Sequence, residues 1–239
     1  MTKHLWILCW LLLCPLRSAH AGGAGLALVY AGPGVCKDGC AEAAAVVPHR
    51  AGFRIRYVTP ADVRPEVLRE AAVWVQPGGD AIEVARTLSD QQKQWLRTFV
   101  EKGGGYLGFC AGAFLADSFV DDASQVRGLG LIPGTSHDYK TPGKAEVLPV
   151  DWHGTKRWLY FEEGGWFELA KESAARVLGR YATGEPAAIA TRFGAGGVVI
   201  AGPHPEATPE WLEEHGLTDP DGSDLDLADE MFALATPRL

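Results

Sequence analysis

The chain has 239 residues, 47% of them hydrophobic and 22% charged, with a formal net charge of -8. No basic stretch is dense enough to track phosphates, so nucleic acid is excluded as the expected partner. The length suits one sizeable α/β domain and not two full ones.

Residues 1–21 read as a secretory signal. Lys3 and His4 form its charged end, Leu5 to Leu13 its apolar segment, and Ala19-His20-Ala21 an A-x-A cleavage site. The apolar run is short for a membrane span. No stable membrane insertion is therefore expected after cleavage behind Ala21. The mature chain, 22–239, is expected as a single domain, periplasmic or secreted. It keeps three cysteines, Cys36, Cys40 and Cys110. Cys36 and Cys40 share a Gly- and Asp-containing loop and are expected as a local disulfide in an oxidising compartment. A metal site is the weaker alternative, since that loop holds no third cysteine or histidine. Cys110 is then the odd thiol.

Strand and helix signals alternate through the first half. Gly25 to Tyr30 is a continuous apolar run ending at Ala31-Gly32-Pro33-Gly34. Phe53 to Val58 alternates polar and apolar residues, Pro65 to Ala71 is helical, and Ala72 to Val75 is a buried strand closed by Gln76-Pro77-Gly78-Gly79-Asp80. Ser89 to Lys102 has helical apolar spacing and a glycine stop. Gly103-Gly104-Gly105-Tyr106-Leu107 turns into a further buried strand. This order predicts an α/β fold with a doubly wound, mostly parallel sheet flanked by helices, in which ligands bind beyond the carboxyl ends of the strands.

The second half is rich in strands: Ala145 to Val150, Trp158 to Phe161, Ala175 to Tyr181, Ala187 to Arg192, and Gly197 to Ala201. A helix over Pro209 to His215, an acidic loop over Asp219 to Asp226, and a final helix near Leu227 to Ala235 complete the chain.

Gly108-Phe109-Cys110-Ala111-Gly112 falls where a strand turns into a helix. Small residues two before and two after the cysteine permit a sharp turn that lifts its side chain above the sheet, the cysteine version of a nucleophile elbow. The turn also sets the thiol at a helix N-terminus, which favours thiolate. A thiol nucleophile needs a base and the base needs an orienting group. His204 and Glu206, separated by Pro205 just past a buried strand, supply both types in Cys-His-Glu form. Gly78, Gly79 and Ala111 offer backbone amides for an oxyanion. His137 and Asp138 lie in a loop (GTSHDY) that could rim the pocket. His153 reads as a solvated turn histidine without metal spacing around it. Glu162-Glu163-Gly164-Gly165-Trp166 reads as an acidic, aromatic turn.

These residues resemble a class I glutamine amidotransferase-like domain, a flavodoxin-like architecture, over roughly Gly25 to Glu206. More narrowly, the chain is similar to the amidotransferase-like domain at the N-terminus of eukaryotic-type biotin-protein ligases. Tyr30-Ala31-Gly32-Pro33-Gly34, Gln76-Pro77-Gly78-Gly79-Asp80 and Phe99-Val100-Glu101-Lys102-Gly103-Gly104, running into Tyr106-Leu107-Gly108-Phe109-Cys110-Ala111-Gly112-Ala113, carry that likeness. The resemblance implies Cys110 as nucleophile, His204 as base, Glu206 as orienting acid and Gly78-Gly79 as the oxyanion strand, with no cofactor and no metal. Glutaminases of this family carry a glutamine, which helps hold the substrate, where this chain has Phe114. That position therefore contacts substrate differently here, and glutamine is not the expected substrate. Ala111, not histidine, follows Cys110, which argues against the protease-like branch. Only about a helix pair follows Glu206, so biotin transfer is not expected. The expectation is a cysteine-dependent hydrolase of amide or peptide C–N bonds in a small molecule or peptide. The alternative is a non-catalytic binding module that retains the fold.

Overall fold

The computed structural model describes residues 25–121, 125–140 and 143–236. The leader expected over 1–21 lies outside them. Of the strand runs, β1 (Leu26–Tyr30), β3 (Val73–Gln76), β4 (Gly105–Phe109) and β13 (Gly196–Ala201) are buried along their whole length. Such continuous apolar runs belong to central strands covered on both faces. With β2 (Arg54–Val58) at the edge, they form the parallel half of a nine-stranded sheet, ordered β2-β1-β3-β4-β13.

Beyond β13 the sheet changes sense. β12 (Pro186–Phe193), β11 (Arg176–Tyr181), β8 (Glu146–Trp152) and β9 (Thr155–Phe161) continue it with antiparallel pairing. The expected parallel sheet is thus half of the whole, extended by the strand-rich second half of the chain. Short connections favour this, because antiparallel neighbours need no crossover helix.

Alternation along β1 divides the core. Ala27 and Val29 face α1 (Cys40–Arg50) and α7 (Leu225–Ala235), while Leu26, Leu28 and Tyr30 share the opposite layer with Leu96 and Val100 of α4 (Asp90–Glu101). That opposite layer also holds the short helices α2 (Pro65–Leu68), α3 (Ala81–Thr87) and α5 (Ala111–Leu115). Helix α4 starts at a reciprocal cap in which Ser89 Oγ accepts from the Gln92 amide at 3.3 Å and Gln92 Oε1 accepts from the Ser89 amide at 2.9 Å. The last helix begins at Leu225, inside the stretch expected to be an acidic loop.

Two strands replace expected loops. β7 (Gly134–Asp138) and β10 (Gly165–Leu169) pair antiparallel as a separate ribbon, with Trp166 opposite His137. A third small ribbon joins β5 (Phe119–Asp121) to β6 (Val126–Arg127). The turn at His153 is a turn, with φ 52°, but its ring is not merely solvated: Nε2 lies 2.9 Å from Glu230 Oε1 on α7.

Candidate functional site

β4 delivers Cys110 at its carboxyl end, and the chain turns there into α5. Cys110 has φ 47° and ψ -107°, a conformation that strains any side chain bearing a Cβ. Its amide donates to the Ala201 carbonyl at 2.8 Å, and its own carbonyl accepts from the Ala113 amide at 2.8 Å. The flanking glycines are required by the way the backbone crosses itself. A methyl on Gly108 would stand 2.6 Å from the Gly112 carbonyl oxygen, and one on Gly112 would run into the Gln76 carbonyl. The thiol is the free one among the described cysteines and is only 6% exposed, with Sγ 3.5 Å from the Glu162 carbonyl oxygen.

His204 comes from the loop after β13. Its amide donates to Tyr160 on β9 at 2.8 Å, so the antiparallel extension of the sheet holds the histidine backbone in place. Its ring lies edge-on to Trp211 of α6 (Pro209–Glu214) at 5.4 Å and to Tyr160 at 5.8 Å. Nδ1 is 2.9 Å from Glu206 Oε1. Both side chains are buried, and among the described residues Glu206 Oε2 has no hydrogen-bond partner. Burial opposes the imidazolium, but the Glu206 charge and hydrogen bonds to Cys110 and Glu206 outweigh it, and His204 is pushed up to about 10.

Cys110 and His204 line one cleft of about 260 Å³. Gly78 is wedged between them: a methyl on it would sit 2.7 Å from His204 Cε1 and 3.6 Å from Cys110 Cβ. Gly79, at φ 136°, lines the same cleft and bridges to Val35 so closely that a methyl would collide with the Gly34 carbonyl. The loops after β1 and β3 therefore meet beside the elbow, as expected of strand carboxyl ends. Ala111 is the first residue of α5, where amides have no intrahelical acceptor.

A second cleft, of about 730 Å³, shares Cys110, Gly79 and Glu163 with the first. Phe114 and His137 line it. His137 sits on a strand, stacks on Trp166 at 4.7 Å, and places Nε2 3.0 Å from Thr135 Oγ1. Cys36 and Cys40 are joined in a disulfide and line the first cleft. The placement thus unites Cys110, His204, Glu206, Gly78, Gly79 and Ala111 in one region, with Phe114 and His137 across the second cleft. Among the described residues no group of three or more histidine, cysteine or acidic side chains is arranged to hold a metal ion.

Sequence reasoning missed Tyr160 and Trp211, which pack the imidazole, and undervalued Glu162 and Glu163, which line the first cleft. No local pattern marks the aromatic pair. Trp211 is tied in by a hydrogen bond from Nε1 to the Asp38 carbonyl at 2.7 Å, a contact between distant segments.

A family model described as the N-terminal part of biotin-protein ligase matches residues 26–231. The chain belongs to the biotin-protein ligase N-terminal family. This biotin-protein ligase N-terminal domain is 29% identical over 189 residues to the biotin-protein ligase of Schizosaccharomyces pombe, covering 66% of this chain and 29% of that protein. It is 32% identical over 166 residues to an uncharacterized protein of Chlamydia muridarum, covering 60% and 64% respectively. The chain spans less than two thirds of either relative. Among solved structures, a glutamine amidotransferase matches with a TM-score of 0.58 and 21% identity over 79% of this chain and 100% of that one. A ThuA-like protein from Bacteroides uniformis matches with a TM-score of 0.57 and 15% identity, covering 91% and 94%. The biotin-protein ligase N-terminal domain described here therefore has a glutamine amidotransferase-like α/β fold.

Proposed function

We propose that this domain is an exported cysteine-dependent hydrolase of amide or peptide C–N bonds. The observation that carries the proposal is a buried imidazole, oriented by Glu206 at 2.9 Å, lining the same cleft as the strained Cys110. Cys110 attacks the amide carbonyl carbon. His204 delivers a proton to the leaving nitrogen as the C–N bond breaks, and a thioester remains. Water, deprotonated by His204, then attacks the thioester, releases the acid and restores the thiol. Amides of Gly78, Gly79 and Ala111 are the donors for the oxyanion, each such donor being worth about 10²–10³ in rate. Glu206 holds one ring nitrogen so that the other serves Cys110.

Phe114, on the wall of the second cleft, offers no amide to a glutamine side chain, so the substrate is a different amide. The leader-like segment 1–21 and the Cys36–Cys40 disulfide support action outside the cytoplasm.

The test is labelling of reduced, full-length protein with a panel of electrophilic amide and peptide probes, using Cys110→Ser as the blank. Labelling of Cys110 by one probe class, lost in the blank, is expected and names the chemistry. Absence of labelling by every class overturns the hydrolase and leaves a binding module with this fold.

A further inference from the structure

Cys36, Cys40 and Cys110 converge on the first cleft although Cys110 is distant from the other two in the chain. A methyl placed on Gly78 would stand 3.6 Å from Cys110 Cβ and 3.6 Å from Cys40 Sγ. Residue 78 has no side chain, so none of its atoms occupies the point that the thiol carbon and the disulfide sulfur both flank. The edge of the His204 ring reaches within 2.7 Å of that point. The carbon that carries the nucleophilic thiol, the edge of its partner imidazole and an electrophilic sulfur therefore flank one position.

We propose that Cys40 is the resolving partner of Cys110, and that thiol–disulfide exchange between them masks the nucleophile. This rests on the reactivity assigned to Cys110 above. Cys110 passes its proton to His204, and its sulfur attacks Cys40 Sγ. The Cys40–Cys110 bond forms, the Cys36–Cys40 bond breaks, and the electron pair leaves on Cys36, which takes up a proton. One disulfide and one thiol become another disulfide and another thiol, so no external oxidant is consumed.

The surroundings suit this exchange. Cys36 is only half-buried, so its departing thiolate is stabilised by water, whereas Cys40 is 5% exposed and held at the start of α1. Between them the loop runs through exposed Lys37 and Asp38 to Gly39, where an added methyl would meet nothing within 4 Å. The exchanged disulfide requires the Cβ atoms of Cys40 and Cys110 to stand about 3.5–4.5 Å apart. Full reduction leaves Cys36, Cys40 and Cys110 as thiols and Cys110 open. Oxidation to a single disulfide divides the chain between an open and a masked form.

Trypsin can read the two isomers, because Lys37 separates Cys36 from Cys40 and Lys102 and Arg127 bracket Cys110. The full-length oxidised protein is incubated with trace reduced glutathione, quenched in acid, alkylated and digested without reduction. A linked pair of peptides 38–50 and 103–127, accompanied by alkylated Cys36, is expected. A digest containing only Cys36 linked to Cys40, with Cys110 alkylated throughout, overturns the proposal. Cys36→Ser gives a second measurement: in oxidised glutathione it should close Cys40 onto Cys110 and lose Cys110 alkylation. Recovery of Cys110 as a glutathione mixed disulfide instead, with Cys40 unlinked, overturns it too. Both readouts follow sulfur connectivity and not turnover, so failure here leaves the probe-labelling result on reduced protein standing, and the converse holds.

Discussion

His204 places Nδ1 2.9 Å from Glu206 Oε1 with only Pro205 between them in the chain, and neither residue is more than 4% exposed. The fixed φ of proline limits how the two can be arranged. A buried carboxylate is costly unless it is paired, and here one of its oxygens has only the imidazole. The dyad is therefore best read as a charged pair that burial disfavours and mutual attraction retains.

That pair predicts a specific pH dependence. The folded value of His204, near 10, lies above its ordinary 6.5. A raised histidine contributes stability that is fully present below the unfolded value and is lost as pH rises toward the folded one. Glu206→Gln keeps an acceptor but removes the charge. Its deficit in melting temperature relative to the wild type should be largest at pH 6 and shrink steadily toward pH 10. Thermal melts across that range check this, and a deficit that grows with pH would contradict it.

His204 should also govern the reactivity of Cys110. With a value near 10, His204 is an imidazolium at pH 7 and acts on the sulfur as a neighbouring cation. His204→Ala should slow iodoacetamide alkylation of Cys110 at pH 7 by about tenfold or more, and Glu206→Gln should slow it less. Equal rates in all three proteins would mean that the thiol reacts unaided.

Much of this was legible in the chain because it depends on local rules. Continuous apolar runs marked β1, β4 and β13, and Gly108 and Gly112 announced the crossing at Cys110. His204 and Glu206 stood out as neighbours past a strand end. Helix α1 was missed: its Ala-rich stretch is buried at Ala41, Ala43, Ala44, Ala45 and Val47, so it shows no polar stripe, and Pro48 suggests a break. β7 and β10 read as loops because each completes its hydrogen bonds only on the other. The sulfur cluster was hidden for the same reason, since nothing near Cys36 or Cys40 in sequence indicates the cleft across from them.

The elbow predicts an inversion of the usual Gly–Ala order. At φ 47° and ψ -107° a Cβ is strained, and strain of this kind is worth about 1–3 kcal/mol. Cys110→Gly and Cys110→Ala both remove the sulfur, but only glycine relaxes the backbone. The glycine variant should be the more stable by about 1 kcal/mol or more in urea unfolding, within the same range. In an ordinary helix or strand interior alanine would lead by about 0.5–1 kcal/mol, so an alanine variant that proves more stable would show that the turn stores no strain.

Asp224 predicts a loss of stability with rising pH in the same direction as His204, but in a lower window. It precedes α7, is 6% exposed, and has Oδ1 2.8 Å from an Arg157 nitrogen in an ion pair whose alignment does not form a hydrogen bond. Burial raises its pKa most, Arg157 opposes, and the charges of Asp219, Asp221 and Asp226 add to the rise, leaving Asp224 at about 7 against an ordinary 3.8. Between those values the folded carboxyl keeps a proton that the unfolded one has lost. Stability therefore falls as pH climbs through that window, and the penalty is complete above 7. Asp224→Asn cannot titrate and keeps nearly the same shape beside Arg157. Its melting temperature should rise relative to the wild type as pH increases from 4 to 8, while a difference that stays constant over that interval would show that Asp224 carries no such penalty.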